Sequence, residues 1–172
     1  MAELRDLIRD IPDFPEPGIV FKDITPLLLD PEASRAVTLA MAEFARPLGV
    51  DIVVGAEARG FLFGGALAQE LGAGFVPARK PGHLPAETIS VEYELEYGID
   101  ALEVHADALS AGHRVLVHDD LIATGGTAAA TIEAVERLGA EVVGCAFIVE
   151  LGFLNGREKL AGRPVRTLLT YD

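Results

Sequence analysis

Tryptophan is absent from this chain, and cysteine occurs once. A single cysteine excludes an intramolecular disulfide. Cys145 sits in the apolar run 142–149, where a thiol behaves as a small core hydrophobe rather than a nucleophile. Basic residues are also scarce, with 14 Lys and Arg against 27 Asp and Glu and a formal net charge of −13. Such a surface repels nucleic-acid phosphates and anionic membranes, so neither is an expected partner. No apolar run is long enough to span a bilayer. Residues 1–10 are charged and helical in pattern, unlike a signal peptide, and a cytoplasmic setting is the expectation. His105 and His113 show no ligand spacing, so no metal site built by the protein alone is expected. Low-complexity tracts, repeats and linkers are missing too, which predicts one domain over residues 1–172.

What is present is a well-patterned hydrophobic half. Leu4, Leu7, Ile8 and Ile11 recur at helical spacing and predict a short opening helix. Prolines 12, 15 and 17 then force an irregular segment. Asp30 and Pro31 read as the cap and first turn of a helix reaching Arg46. Short apolar strands are predicted at 51–55, 74–79, 114–118, 142–149 and 165–170, with a further one at 101–105. Helices fall at 60–71 and about 128–138. Residues 81–97 are polar and aperiodic, and read as a lid with extended edges. Strands alternating with helices predict an α/β fold built on a mainly parallel sheet flanked by helices.

The most informative stretch is Val115-Leu116-Val117-His118-Asp119-Asp120-Leu121-Ile122-Ala123-Thr124-Gly125-Gly126-Thr127. A buried-strand pattern ends in two carboxylates, a small-residue turn follows, and a helix begins. Ligands of open parallel sheets sit beyond the carboxyl ends of the strands. Ionised Asp119 and Asp120 would accept strong hydrogen bonds from a diol there. Glycine lets backbone amides approach an anion, and a helix N-terminus adds free amides and a favourable dipole. The order therefore suits a sugar carrying both hydroxyls and a phosphate. Helix capping by the acids and an ordinary turn remain the plain alternative. The Walker loop and the dinucleotide fingerprint are both absent.

In so acidic a chain, an anionic ligand needs cations gathered locally, and Arg59, Arg79 and Lys80 are the evident supply. Arg59 follows its own predicted strand, so it should reach the same rim as the acidic pair; a surface arginine opening a helix is the alternative. Phe21 stands in a proline-rich segment that should be exposed, unless it staples that segment to the core.

The 115–127 segment resembles the phosphoribosyl pyrophosphate (PRPP) binding motif of the type I phosphoribosyltransferases. Several further segments resemble the adenine-specific members of that family. Pro12-Asp13-Phe14-Pro15 and Pro17 to Ile24 match their N-terminal signature, and Glu57 to Gly64 their pyrophosphate loop. Arg79 to Pro85 and Leu95-Glu96-Tyr97-Gly98 match the two ends of their flexible catalytic loop. Val149-Glu150-Leu151 and Gly156 to Leu160 match their C-terminal segment. The likeness runs from about Ile11 onward, in order.

The resemblance implies the type I phosphoribosyltransferase fold, with a small N-terminal hood over about residues 1–30 and a mobile loop over about 81–98. It implies transfer of the phosphoribosyl group of PRPP to N9 of adenine, giving AMP and pyrophosphate. Asp119 and Asp120 would hold the ribose, while Ala123, Thr124, Gly125, Gly126 and Thr127 cradle the 5′-phosphate. Glu57, Ala58, Arg59, Arg79, Lys80 and His83 would meet the pyrophosphate side, with a cis peptide between Glu57 and Ala58. Phe21 would stack on adenine, and backbone groups near Val20 and Lys22 would read its edge. Glu96, Tyr97 and Arg59 would act on the reacting centre. Mg²⁺ would arrive mainly on PRPP oxygens, and the assembly would be a homodimer in which Arg79 serves the neighbouring site. Two positions depart from the family pattern: His83 replaces a usual lysine, and His118 replaces a usual apolar residue. Strand alternation turns His118 away from Val117 and Asp119, which suggests a structural or interface role. Another phosphoribosyltransferase, a PRPP-binding regulator and a plain binding domain remain as alternatives.

Overall fold

In the computed structural model the described residues are 2–95, 98–160 and 162–172. Five parallel strands form the central sheet, in the order β4 (Gly74–Ala78), β3 (Ile52–Ala56), β7 (Arg114–Ile122), β8 (Glu141–Leu151) and β9 (Val165–Tyr171). Because side chains alternate along a strand, each strand feeds two cores. Val54, Val115, Val117, Cys145 and Phe147 face α5 (Gly126–Arg137). Val53, Leu116, Ala146 and Ile148 face α3 (Pro31–Ala45) and α4 (Gly60–Leu71). This burial on both faces explains why β8 reads as a continuous apolar run rather than an alternating one. Cys145 is fully buried, and burial pushes its thiol up to about 12, as the core assignment requires. No helix among the described residues is long and apolar enough to cross a membrane.

The predicted caps hold. The side chain of Asp30 accepts hydrogen bonds from the amides of Glu32 and Ala33, and Pro31 opens α3. The opening helix is shorter than its apolar spacing suggested. The helix α1 spans Ala2–Asp6, and Ile11 belongs instead to β1 (Arg9–Pro12). This strand pairs antiparallel with β2 (Val20–Asp23), setting Ile11 opposite Phe21. Pairing with β2 satisfies backbone groups that a helix approaching Pro12 would have lost. A five-residue helix, α2 (Thr25–Leu29), follows with Pro26 in its first turn. The polar stretch expected to be a lid contains β5 (Thr88–Leu95), and the strand expected at 101–105 is part of β6 (Gly98–His105). The two form their own antiparallel ladder rather than widening the central sheet.

β7 runs four residues past its expected end, because Asp119 and Leu121 continue to pair with Phe147 and Val149 of β8. His118 is fully buried in this strand, on the α4 side. Its Nδ1 lies 2.8 Å from the carbonyl of Ala146, so that nitrogen carries the proton and donates. Nε2 is buried without a partner. Burial lowers the imidazole pKa from 6.5 to about 4. The unfolded chain therefore binds a proton here at a pH where the native state does not, so stability falls as pH drops from 6.5 towards 4. The expected loss is about 3 kcal/mol. Urea titrations across this range should find a flatter pH dependence in His118→Leu than in the parent; equal slopes would remove His118 as the cause.

Candidate active site

Two neighbouring strands set the site. β3 and β7 are in parallel register, with Gly55 opposite His118, so the residues that follow β3 arrive beside Asp119. Gly60 permits that approach: a Cβ there would stand 2.9 Å from Asp119 Oδ1 and 3.1 Å from the carbonyl of His118. Arg59, just before α4, then points across the rim. Its Nε lies 3.1 Å from Asp120 Oδ2. Nη1 donates to the carbonyl of Lys22 at 3.4 Å, and the guanidinium carbon sits 4.5 Å from the centre of the Phe21 ring. One side chain thus joins the acidic pair to β2.

The acidic pair is enclosed. Asp120 is 1% exposed, and Asp119 Oδ1 accepts from the Asp120 amide at 2.8 Å. Burial and then the charge of Asp120 raise the pKa of Asp119. Burial also raises that of Asp120, opposed chiefly by the positive charge of Arg59. Although Arg59 is close, Asp120 Oδ2 has no aligned hydrogen-bond donor. It is a buried acceptor suited to a donor from a ligand. A cleft of about 240 Å³ opens here, lined by Arg59, the acidic pair and residues 121–128. A larger cleft, of about 480 Å³, lies between α1 and α3; its charged lining residues are Asp6, Asp30 and Glu32, a poor lining for an anion.

The turn after β7 presents free amides. Gly125 has φ of 76°, and no side chain caps the start of α5. The first-turn amides of that helix are thus available to an anion. Gly156 packs directly behind the turn. A Cβ at 156 would fall 2.1 Å from the carbonyl of Ala123 and 2.7 Å from the amide of Gly125, while one at 125 would fall 2.3 Å from the carbonyl of Gly156. Arg157 holds this backing segment by two hydrogen bonds to Glu150, at 3.0 and 2.5 Å.

A second cluster gathers around Glu57, just after β3. The Glu57–Ala58 peptide bond is cis, as the resemblance implied. The Glu57 carboxylate accepts from Arg79 Nε at 3.1 Å and from the Lys80 amide at 2.9 Å, and lies 2.9 Å from His83 Nδ1. Partial burial acts to raise the Glu57 pKa, but the Lys80 amide, Arg79 and His83 outweigh it and bring it to about 2. Lys80 Nζ is 3.9 Å from Asp100. Around the β1–β2 pair, Phe14 and Phe21 pack edge to face at 5.1 Å, and Val20 is exposed.

Of the residues named from sequence, Arg59, the acidic pair and residues 123–127 line one cleft, Phe21 and Lys22 meet it through Arg59, and Arg79, Lys80 and His83 gather around Glu57. Glu96 and Tyr97 lie outside the described residues. Sequence reasoning overlooked Gly156 as a support of the turn; a glycine opening the matched C-terminal segment was its only signal. It also overlooked Tyr93, whose hydroxyl donates to Asp100 at 3.3 Å; cross-strand pairing with Asp100 requires the hairpin to be known.

A parallel sheet whose central strand carries an acidic pair near its end, followed by a turn with uncapped amides, agrees with the phosphoribosyltransferase class that comparison with known proteins shows. Residues 28–164 match the family model described as the phosphoribosyl transferase domain. The adenine phosphoribosyltransferase of Rubrobacter xylanophilus is 59% identical over 169 residues, covering 98% of this chain and 91% of that protein. The crystal structure of the Thermoanaerobacter pseudethanolicus adenine phosphoribosyltransferase superposes with a TM-score of 0.96 at 52% identity, over 99% of both chains. That of the Saccharomyces cerevisiae enzyme, complexed with D-2,5-dideoxy-2,5-imino-altritol 1,6-bisphosphate and adenine, gives 0.91 at 44% identity, over 98% of this chain and 97% of the other. The chain belongs to the adenine phosphoribosyltransferase family, pentosyltransferases of purine salvage that convert adenine and PRPP to AMP and pyrophosphate.

Gly156→Ala should displace the 124–127 turn, since neither backbone neighbour can yield without moving it. The KM for PRPP is expected to rise about tenfold or more, measured at saturating adenine. An unchanged value would mean that the turn tolerates the displacement.

Proposed function

We propose that this chain performs the transfer with a division of labour set by the rim of β3 and β7. Asp119 and Asp120 orient the ribose through its hydroxyls, and the amides and threonines of 124–127 anchor its 5′-phosphate. Remote anchoring of this kind contributes binding energy to the chemical step. The supporting observation is the cleft that brings Arg59, the unpartnered Asp120 Oδ2 and the uncapped start of α5 together.

Cleavage at the anomeric carbon develops positive charge on the ribose and negative charge on the departing pyrophosphate. Arg59 would stabilise the latter, with Arg79, Lys80 and His83 gathered around Glu57 in support. In a homodimer of the family type, Arg79 would serve the neighbouring site. Residues 1–30 form the hood and 81–98 the catalytic loop. Phe21 offers a ring face to adenine, and the backbone of Val20 and Lys22 reads its edge. A backbone carbonyl is an acceptor for the 6-amino group, where a 6-oxo purine needs a donor. Glu96 manages the purine proton, and Tyr97 covers the sugar as the loop closes and excludes water.

A magnesium ion held mainly by PRPP oxygens is compatible with the donor set, since Asp119 and Asp120 would add hard carboxylate oxygens beside it. Bound there, the ion would offset charge on the diphosphate. The single thiol supports a cytoplasmic, reducing setting.

The direct test is AMP formation from adenine and PRPP, with hypoxanthine and guanine in parallel; adenine is expected to be strongly preferred, and chelation of Mg²⁺ to stop turnover. Arg59→Ala and Asp120→Asn should each lower kcat/KM by about a hundredfold or more. Near-parent activity in either variant would remove that residue from the scheme.

A further inference from the structure

Lys22 is 9% exposed, an uncommon state for a lysine. Its Nζ lies 2.6 Å from Asp10 Oδ1 and 4.0 Å from the centre of the Tyr171 ring. The guanidinium carbon of Arg5 is 4.4 Å from the same ring centre, and Arg5 Nη2 donates to the carbonyl of Thr170 at 2.8 Å. Residues from α1 and β2 thus meet at the Tyr171 ring at the end of β9, with Asp10 of β1 paired to the Lys22 ammonium.

Strand geometry links this cluster to the base site. Lys22 stands opposite Asp10 in the β1–β2 ladder. Neighbouring side chains of a strand point to opposite faces. With Lys22 held on the Tyr171 side, Phe21 is turned to the other, where Arg59 lies 4.5 Å from its ring centre. Lys22 is fastened at a second point as well, because its carbonyl accepts from Arg59 Nη1 at 3.4 Å. The residue is therefore fixed at its ammonium and at its backbone.

We propose that Tyr171 is a positioning residue for the purine: its ring, with Asp10, clamps the Lys22 side chain and so sets how residues 20–22 meet the base. This rests on the reading of residues 20–22 as the adenine site. The clamp uses the ring face, to which a cation is drawn by the quadrupole of the π system; the hydroxyl is not required. Tyr171 acts through the Lys22 side chain rather than on any reacting atom, and Lys22 is not among the residues proposed to hold PRPP, so the effect is expected on adenine.

Steady-state kinetics on the full chain test this, with each substrate varied at saturating concentrations of the other. Tyr171→Leu is expected to raise the adenine KM about fivefold to tenfold and to leave the PRPP KM within about twofold. Tyr171→Phe keeps the ring and should return the adenine KM to within about twofold of the parent. Lys22→Met, which keeps the stem and removes the charge, should reproduce the selective rise if Tyr171→Leu folds poorly. An unchanged adenine KM in both Tyr171→Leu and Lys22→Met, a matching rise for both substrates, or no recovery in Tyr171→Phe overturns the proposal. Phe21→Ala separates the two levels of the argument. Should it raise the adenine KM while Tyr171→Leu and Lys22→Met do not, the clamp alone fails; should it leave that value unchanged, the base-site reading fails and the clamp with it.

Discussion

Two carboxylates held side by side in a buried strand repel each other and resist ionisation, and the site is organised around offsetting that cost. Arg59 supplies the compensating charge, 3.1 Å from Asp120. Placing it there requires β3 and β7 to be parallel neighbours in the observed register, and glycine at 60, where any side chain would strike Asp119. The β1–β2 hairpin depends on the same arginine, since its guanidinium also meets Phe21 and the Lys22 carbonyl. The acidic pair and the β1–β2 hairpin therefore share one cation.

The charge economy of the molecule follows the same logic. Against a net charge of −13, the cations near the rim are already matched with carboxylates of the chain: Arg59 with Asp120, Arg79 with Glu57 and Lys80 with Asp100. An arriving phosphate would exchange one anionic partner for another rather than strip water from bare cations, which is the costly step in burying a charge. Its planar fork suits arginine to either partner.

Much of this was legible in the sequence. The parallel sheet followed from the strand–helix alternation, and Asp30-Pro31 marked the start of α3. The 115–127 stretch announced its turn through order alone. Where local signals competed with tertiary pairing, they misled: the helical spacing of Leu4, Leu7, Ile8 and Ile11 continued past the true end of α1, because Ile11 finds its partner in Phe21. β7 outran its apolar core for the same reason, its ladder with β8 carrying Asp119 and Asp120 inside the strand. Contacts between distant segments left almost no local trace. Nothing near Lys22 announces Tyr171, and nothing near Gly125 announces Gly156, since a backbone contact between remote glycines has neither periodicity nor charge.

That last contact ties the fate of two remote stretches together. The loop expected to hold the phosphate owes its shape to a wall supplied by a segment that Arg157 anchors to Glu150. Residues after β8 are thus no dispensable appendage. A chain cut short before them would keep every group proposed to touch PRPP, yet would leave the loop unsupported from behind, and drift there would be paired with drift in its counterpart.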